Sequence, residues 1–277
     1  MPPSLTVTNL ERVSELLESV VAEHVLPAYR NLQPDDIEHK PSVDDPEDVV
    51  SRVDRSVEAW LGPELARLLP GSAVVGEEAA HADPQLLAAL DADGAVWVID
   101  PIDGTRNFVR GEPGFGVMVA LVTKRRTRAA WIALPTEGLL FVAERGSGTW
   151  LQGARVRIPE RELRACPRGT TYTKFMPEAL GAALAAHAGR DFEPAPGAGS
   201  AAIEYTDLMR GRKDFVVYHR LMPWDHLPGA LLVAEAGGSV TLVNGDELTP
   251  FDRFGPLVAA RDGALGQQIR SWLPAST

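Results

Sequence analysis

Two carboxylates three positions apart form the most chemically informative part of this sequence. Asp100 and Asp103 follow the apolar run Trp97–Ile99, at the point where the predicted strand stops. Pro101 restricts Asp100 to an extended conformation and has no N–H to donate, so it helps to end the strand. Carboxylates at a strand end, with the carbonyl of Ile102 between them, are the hard oxygen ligands that Mg²⁺ prefers. The segment therefore predicts a site for a divalent cation.

The same segment also allows a purely structural interpretation. Asp103 can cap a helix that begins at Thr105, and Gly104 permits a tight turn with or without a ligand. For a bare Asp-x-x-Asp pattern, this acidic turn is the better interpretation. The full string Asp-Pro-Ile-Asp-Gly-Thr-Arg-Asn-Phe, from Asp100 to Phe108, is far more specific and favours a metal site.

Three further carboxylates stand beside the boundaries of predicted elements. Glu77 comes directly after the short strand predicted over Ala73–Gly76, where an acid is ordinarily part of a solvated turn. Asp225 lies near the start of a predicted helix, where an Asp commonly acts as a cap or dipole partner. Asp54 stands three residues after Ser51, which is the spacing of a capping box. Taken one at a time, each carboxylate has a structural explanation.

Together, these acidic segments closely resemble those of the inositol monophosphatase family of Mg²⁺-dependent phosphatases. The matching strings follow the family's order and span nearly the whole chain: Asp48–Asp54, Gly76–Glu78, Asp100–Phe108 and Trp224–Gly238. Ile102 and the pair Asn107-Phe108 are more similar to the inositol phosphatase branch than to the nucleotide-phosphatase or fructose-bisphosphatase branches. The resemblance implies an enzyme that uses two or three Mg²⁺ ions per site, is sensitive to lithium and forms a homodimer.

The resemblance also implies roles for individual residues. The metal ligands that it implies are Glu77, Asp100, the carbonyl of Ile102, Asp103 and Asp225. Asp100 is expected to bridge two ions, and Glu77 to support a weaker third and to belong to the catalytic residues. Two ions about 3.5–4 Å apart can hold the attacking water and the leaving oxygen on opposite sides of phosphorus. Thr105 and Asp54 resemble the pair that orients and deprotonates this water, so no covalent nucleophile is expected.

Substrate contacts are expected from two segments of small residues. The backbone N–H groups of Gly104 and Thr105 open a predicted helix and can donate to phosphate oxygens. Gly199, Ser200 and Ala201 resemble the family's pocket-lining Gly-Thr/Ser-Ala segment. The start of a helix built from small residues is an equally good interpretation of these three.

One position departs from the family pattern. Tyr218 occupies the place where inositol phosphatases carry a glutamate that binds a substrate hydroxyl, and His219 and Arg220 follow it. We expect Tyr218 to contact the substrate and these residues to favour a leaving group that carries negative charge; ordinary surface groups near a strand end are the alternative. A second departure is the Pro/Asp-rich loop over 34–47, in which Lys40 is a weak candidate for the family's loop lysine.

Several substrates are consistent with this chemistry. An inositol-1-phosphate-like monoester is the substrate expected first, with histidinol phosphate, a sugar bisphosphate or an adenosine bisphosphate as alternatives. A non-catalytic, metal-binding regulator is the alternative of another class. A degenerate regulator usually lacks one or more carboxylates, whereas all of them are present here, which favours catalysis.

Composition and charge narrow the classes of protein that fit. The 277 residues are 45% hydrophobic and 23% charged, which is enough apolar material for a sizeable core. Cys166 is the only cysteine, so no internal disulfide is possible and a reducing cytoplasm is expected. The net charge of −11 argues against a nucleic-acid partner. No signal-peptide pattern or membrane-spanning apolar run is evident, so no membrane association is expected.

The elements that must position these residues follow from periodicity and turn residues. Helical spacing predicts helices over 9–30 and from Ser51 to Pro70. Short β-type runs separated by turns then predict an antiparallel meander over Ala73–Gly76, Val96–Asp100, Gly116–Thr123, Ala129–Leu134, Leu139–Glu144 and Thr149–Ile158.

After residue 163 the pattern alternates between helices and strands. Helices are predicted near 177–188 and over Trp224–Ala236, and strands near Asp214–Tyr218, Ser239–Val243 and Pro256–Ala260, before a closing helix. An α+β half over 1–162, which carries most of the metal ligands, is thus followed by an α/β half over 163–277. We expect the two halves to stack as an αβαβα layered sandwich.

Overall fold

The computed structural model describes residues 7–39, 49–159 and 166–274 of the chain. The helices in these ranges are α1 (Val7–Val20), α2 (Leu26–Ala28), α3 (Arg52–Leu68), α4 (Glu77–Ala82), α5 (Thr105–Val109), α6 (Glu178–Ala185), α7 (Ala201–Met209), α8 (Pro223–Glu235) and α9 (Gly263–Ser271). The strands are β1 (Ile37–His39), β2 (Val49–Ser51), β3 (Ala73–Gly76), β4 (Ala95–Asp103), β5 (Gly116–Thr123), β6 (Arg126–Leu134), β7 (Leu139–Glu144), β8 (Gly148–Leu151), β9 (Ala154–Val156), β10 (Arg168–Thr171), β11 (Glu193–Pro194), β12 (Phe215–Arg220), β13 (Ser239–Leu242) and β14 (Phe254–Ala260).

A first sheet is formed by strands β3 to β9 in chain order. Strand β3 runs parallel to β4, and every later neighbouring pair is antiparallel. Alternation along β4 sends Trp97 and Ile99 to the face covered by α1 and α3, and Val96 and Val98 to the other face. Because both faces are covered, β4 is buried along its whole length. The predicted antiparallel meander is confirmed for β4 to β9, but it is wrong for Ala73–Gly76, because β3 pairs with β4 in parallel.

A second sheet, with strand order β11-β10-β12-β14-β13, lies in the later part of the chain. Strand β10 is parallel to β11 and β12, whereas β14 is antiparallel to β12 and β13. Phe215 and Val217 pack with α6 and α9, whereas Val216 packs with α7 and α8 between the two sheets. The layers are therefore α1 and α3, the first sheet, α7 and α8, the second sheet, and α6 and α9. The predicted αβαβα fold is confirmed.

Some element boundaries differ from the prediction. The helix predicted over 9–30 contains a π-helical turn at Val21–Val25 and ends at Ala28. Part of the predicted loop 34–47 forms β1, which pairs with β2 in an antiparallel ribbon too short to give a periodic signal. The strand predicted over Thr149–Ile158 is divided into β8 and β9, because Gln152 and Gly153 between them take positive φ values.

Two predicted features lie outside the described residues, namely Lys40 and the boundary between residues 162 and 163. One apolar cluster includes both Val96 of the first sheet and Val216 of the second, so the division into two halves stays a prediction. None of the helices in the described ranges combines the length and apolar character that crossing a membrane requires.

Candidate active site and metal centre

Three aspartates meet where β4 ends and α8 begins. One oxygen atom from each of Asp100, Asp103 and Asp225 lies within 4.8 Å of the others. The pairing of β4 with β5 shifts register between Asp100 and Asp103, and such irregularities re-aim side chains near functional sites. Asp225 lies in the first turn of α8, which begins at Pro223, a residue suited to a position that needs no N–H. The fold thus joins carboxylates that lie more than a hundred residues apart in the sequence.

Asp100 is the clearest indication that this cluster suits a cation. The residue is 1% exposed, and its Oδ1 atom is buried without a hydrogen-bond partner in the described part of the chain. Burial, and then the charges of Glu77, Asp103 and Asp225, raise the pKa of Asp100 well above its ordinary value. A buried carboxylate among other carboxylates is unfavourable unless a proton or a metal ion neutralises it. Hard carboxylate oxygens with an unused acceptor fit Mg²⁺.

Asp103 is held by the start of α7, which comes from the later part of the chain. Its Oδ2 atom accepts hydrogen bonds from Ser200 Oγ and, at 2.7 Å, from Ala202 N, and its Oδ1 atom accepts from Ala201 N at 3.0 Å. Burial raises the pKa of Asp103, and these hydrogen bonds oppose the rise because they favour the charged carboxylate. The Ser200 hydroxyl and the Ala201 N–H thus donate to Asp103. A contact of these two residues with substrate stays a prediction.

Gly104 separates Asp103 from α5 and is itself the N-cap of that helix. It has a φ of 87°, in the left-handed region that favours glycine. A Cβ atom at this position would lie 3.0 Å from the Gly114 carbonyl oxygen and from the Ser200 Cβ atom. Since Asp103 bonds to α7 and Gly104 caps α5, the interpretation of Asp103 as a cap for the helix at Thr105 is wrong.

Glu77 reaches the same cleft from the start of α4. The carboxylate of Glu58 in α3 accepts hydrogen bonds from the N–H groups of Glu78 and Ala79, each at 2.9 Å, and so fixes the direction of α4. A Cβ atom at Gly76 would lie 2.1 Å from the carboxylate carbon of Glu58, so this contact requires glycine there. Glu77 lines the cleft, although it is not one of the three carboxylates that approach within 4.8 Å.

Thr105 connects the cleft to a carboxylate that lies behind it. Its Oγ1 atom can donate to Asp54 Oδ1 at 3.1 Å or to the Ile102 carbonyl oxygen at 2.9 Å. The other oxygen of Asp54 accepts from Ser51 N at 2.9 Å and Ser51 Oγ at 2.6 Å, which completes the predicted capping box of α3. Burial raises the pKa of Asp54 to about 6, against the hydrogen bonds from Ser51. Asp54 therefore caps a helix with one oxygen and bonds Thr105 with the other.

The buried His226, next to Asp225, anchors the start of α8. Its Nε2 atom lies 2.9 Å from the Arg220 carbonyl oxygen, which can only accept, so this hydrogen-bond pattern assigns the ring proton to Nε2. Its Nδ1 atom, 3.0 Å from Tyr205 Oη, then accepts from that hydroxyl. Burial lowers the pKa of His226 to about 4, so the ring is neutral at neutral pH. His226 was not among the sequence candidates, because nothing in its spacing distinguishes it from an ordinary core histidine.

These side chains line one cleft that has two adjoining parts. The first part, of about 400 Å³, is bordered by Glu77, Asp100, Ile102, Asp103, Gly104, Thr105 and Asp225. The second part, of about 270 Å³, is bordered by Gly199, Ser200, Ala201 and Tyr218. The predicted site residues thus all line the cleft except Asp54, which contacts it through Thr105.

A buried ion pair between Glu204 and Lys213, which the sequence did not reveal, supports the segment Gly199–Ala201 (the Gly199 segment). Glu204 is fully buried, and its carboxylate accepts hydrogen bonds from Tyr172 Oη and Ala198 N, each at 2.7 Å, and from Lys213 Nζ. The Tyr172 hydroxyl in turn accepts from Gly199 N at 3.2 Å. Each of these polar residues is unremarkable in sequence, because only the tertiary fold brings α7, β10 and the residues before β12 together.

Comparison with known proteins relates this geometry to one family. The model of the inositol monophosphatase family matches residues 7–272. A Thermotoga maritima protein named fructose-1,6-bisphosphatase/inositol-1-monophosphatase is 30% identical over 208 residues, which cover 74% of this chain and 76% of that protein. The Nus factor SuhB of Escherichia coli (strain K12) is 34% identical over 206 residues, which cover 70% and 72%. A solved structure of a Thermotoga maritima IMPase superimposes with a TM-score of 0.79 at 26% identity and covers 96% of both chains.

The raised pKa of Asp100 predicts a gain in stability when its charge is removed in the absence of metal. The folded state holds a proton that the unfolded state releases above its ordinary pKa, so stability falls as pH rises through this window. In excess chelator at pH 7.5, Asp100→Asn should raise Tm by at least about 2 °C, the shift that about 1 kcal/mol produces in a chain of this size.

The gain from Asp100→Asn should shrink as the pH falls toward 4, because the unfolded wild-type carboxyl group also begins to bind its proton near its ordinary pKa of about 3.9. Asp93→Asn, at an exposed position, is the control and should leave Tm unchanged at both pH values. A lower Tm for Asp100→Asn at pH 7.5 in chelator would show that the cluster is not electrostatically strained.

The buried pair of Glu204 and Lys213 predicts a large loss of stability when one partner is neutralised. Glu204→Gln leaves the Lys213 ammonium buried without a counter-charge, which typically costs about 3–5 kcal/mol in the free energy of unfolding. Urea unfolding measures this loss, and adding Lys213→Met should recover part of it. Glu38→Gln, which breaks an exposed pair with Arg55, should lower the free energy of unfolding far less, because solvent screens such a pair. A comparable loss in both single variants would contradict a special role for the buried pair.

Proposed function

Since this chain belongs to the inositol monophosphatase family, we propose that it hydrolyses a small-molecule phosphate monoester with Mg²⁺ as cofactor and water as the nucleophile. The observation that carries the proposal is the convergence of Asp100, Asp103 and Asp225 on one wall of a cleft, where a buried acceptor of Asp100 has no hydrogen-bond partner among the described residues. The family is generally Mg²⁺-dependent, and this donor set suits that ion.

The residues proposed to hold Mg²⁺ are Glu77, Asp100, the Ile102 carbonyl, Asp103 and Asp225. When bound, the ions would neutralise these acids, polarise the phosphoryl group and lower the pKa of the attacking water. The carboxylates by themselves repel a phosphate dianion, so substrate binding and metal binding are expected to be linked. The N–H groups of α7 favour the charged form of Asp103, which opposes the rise in its pKa that burial causes.

The chain's own proton acceptor is proposed to be Asp54, acting through Thr105. As the water oxygen forms its bond to phosphorus, the Thr105 hydroxyl can accept the water proton and pass its own to Asp54 Oδ1, 3.1 Å away. The ester oxygen leaves as its bond to phosphorus breaks, and a proton from solvent completes the alcohol. The pKa of Asp54, raised to about 6 by burial, makes it a stronger base than an exposed aspartate and leaves it ionised at neutral pH. The N–H groups of Gly104 and Thr105, at the start of α5, are candidates to donate to the phosphate oxygens.

An inositol-1-phosphate-like monoester is the first substrate to test, and the sugar bisphosphates named for the Thermotoga relative form the principal alternative. Lithium sensitivity, a homodimer and a cytoplasmic location belong to the same proposal. The name Nus factor, carried by the Escherichia coli relative, keeps a regulatory function as the second candidate. The full set of acids in the cleft favours catalysis over that candidate.

Phosphate release in the presence of Mg²⁺ tests the proposal directly. A panel of inositol 1-phosphate, glycerol phosphate, histidinol phosphate and fructose 1,6-bisphosphate should include at least one substrate, with turnover abolished by excess chelator and restored by added Mg²⁺. Lithium should inhibit at high Mg²⁺. Full turnover in chelator would remove the metal mechanism, and no release from any member would favour the regulatory candidate.

Thr105→Ala should separate chemistry from metal binding. Loss of the hydroxyl interrupts the path to Asp54, so kcat should fall about 10²–10⁴-fold, the usual contribution of a positioned proton acceptor. Mg²⁺ affinity should change much less, because the carboxylates remain. Thr105→Ser keeps the hydroxyl and should retain most of the rate. Equal losses of rate and Mg²⁺ affinity in Thr105→Ala would assign Thr105 to structure instead.

A further inference from the structure

Beside the acidic part of the cleft lies a part that carries positive charge. The adjoining cavity of about 270 Å³ is lined by the cations Arg106, Lys174 and Arg220 and by the aromatic rings of Phe175 and Tyr218. Asp103 and Asp225 also border it, so the three cations outnumber the carboxylates along its wall. Arg106 and Arg220 also border the part that holds the aspartates. A small molecule with its phosphate at the aspartates can therefore extend toward these cations.

Arg220 is the cation whose surroundings are most informative. It is the last residue of β12, where pairing with β14 shifts register between Tyr218 and Arg220. Such an irregularity bends a strand end and re-aims its side chains. The guanidinium carbon of Arg220 lies 5.1 Å from the centre of the Phe175 ring, an arrangement that stabilises a cation. The side chain is thus held on an aromatic surface at the edge of the cleft.

Three consecutive residues at this strand end have unpaired polar atoms. Tyr218 Oη, His219 Nδ1 and Arg220 Nε are each buried and have no hydrogen-bond partner within the described ranges. All three residues line the same cavity. Buried polar atoms in proteins are normally paired, so a run of unpaired ones indicates a place where a polar ligand completes the hydrogen bonds.

The hydrogen-bond donors and positive charges of this cavity favour an anionic ligand. The Arg220 guanidinium is a cation that can only donate hydrogen bonds. Burial raises the pKa of Tyr218 well above its ordinary value, so its hydroxyl also remains available as a donor. Arg106 and Lys174 add positive charge that a neutral polyol does not match. An anionic group therefore gains more from this cavity than an uncharged one.

We propose that this cavity is a subsite for a second phosphate group, carried by the leaving group of the substrate and bound by Arg220. The proposal rests on the proposed function, which puts the scissile phosphate at the aspartates. A phosphate suits the planar fork of an arginine, which can donate two parallel hydrogen bonds to it. The subsite includes Tyr218, which stands where an inositol phosphatase would bind a hydroxyl of its substrate. The leaving group favoured here would therefore carry a phosphate instead of a hydroxyl at this place.

Fructose 1,6-bisphosphate and fructose 1-phosphate are matched probes for this subsite. Cleavage at C1 releases fructose 6-phosphate from the first and fructose from the second, so the leaving groups differ by one phosphate. With Mg²⁺, the wild-type protein should have a kcat/KM at least about tenfold higher for the bisphosphate. Arg220→Gln should lower kcat/KM for the bisphosphate about 10- to 100-fold, and for fructose 1-phosphate less than about threefold.

Two variants control for loss of structure. Arg220→Lys keeps the charge but not the fork, so it should recover part of the preference. Arg128→Gln removes an exposed cation on β6, paired with Glu144, and should behave as wild type. Should Arg220→Gln fold poorly, Tyr218→Phe, which removes a single oxygen atom, should show a smaller loss in the same direction. Equal wild-type kcat/KM for the two probes, or equal losses for both in Arg220→Gln, would overturn the subsite.

A binding measurement separates this proposal from the proposed function. In excess chelator, titration calorimetry with fructose 6-phosphate should detect binding by wild type and about tenfold weaker binding by Arg220→Gln. If wild type binds in this way but hydrolyses neither ester with Mg²⁺, the subsite stands and the proposed function fails. If both esters are hydrolysed but Arg220→Gln binds fructose 6-phosphate as wild type does, the function stands and the subsite is rejected.

Discussion

The arrangement of the whole cleft depends on the hydrogen bonds between the Asp103 carboxylate and the start of α7. They join the end of a first-sheet strand to a helix packed between the two sheets. Asn107 adds to this junction, because its side chain donates to the carbonyls of Gly114 at 2.7 Å and Ala198 at 2.9 Å. Without the junction, Asp103 would be a buried charge without donors, which is strongly unfavourable. The hydrogen bonds of Asp103 and Asn107 therefore also place the segment Gly199–Ala201 beside the aspartates.

The balance of charge shifts from acidic to basic along the cleft. Glu77 and Asp100 border only its first part and Lys174 only its second, whereas Asp103, Asp225, Arg106 and Arg220 border both. In a partly buried cleft this gradient acts more strongly than it would in water, because the low polarity of the surroundings screens it less. The net charge of −11 does not reveal it. A ligand that matches the second part therefore carries an acceptor group of its own for these cations.

Buried polar contacts outside the cleft position two of the segments that line it. The Glu58 carboxylate accepts hydrogen bonds from the start of α4 beside Gly76, and Glu204 with Lys213 supports the segment before α7. Both contacts lie where the chain is rich in small residues, which contribute little packing of their own. Carboxylates behind the site are thus hydrogen-bonded, while several polar atoms that line the cleft have no hydrogen-bond partner within the described residues.

The sequence by itself determined the chemistry of the acidic segments and most of the fold. Strand periodicity and turn residues predicted the meander and placed Asp100 and Asp103 at the end of one of its strands. Both signals are local, so they can be seen in the sequence. The family resemblance supplied the candidate roles of Asp54, Thr105 and Asp225.

Only the tertiary structure decided which groups share a buried environment. No sequence spacing could predict three of these contacts, because they join residues that are far apart or unremarkable in sequence. They are the hydrogen bonds from α7 to Asp103, the pair of Glu204 with Lys213, and the hydrogen bonds of His226. Short strands such as β1 were missed for the related reason that three residues carry no period. The positions of Tyr218 and Arg220 on the cleft wall depend on the register shift at the end of β12, since that geometry is set by packing between layers rather than by the local sequence.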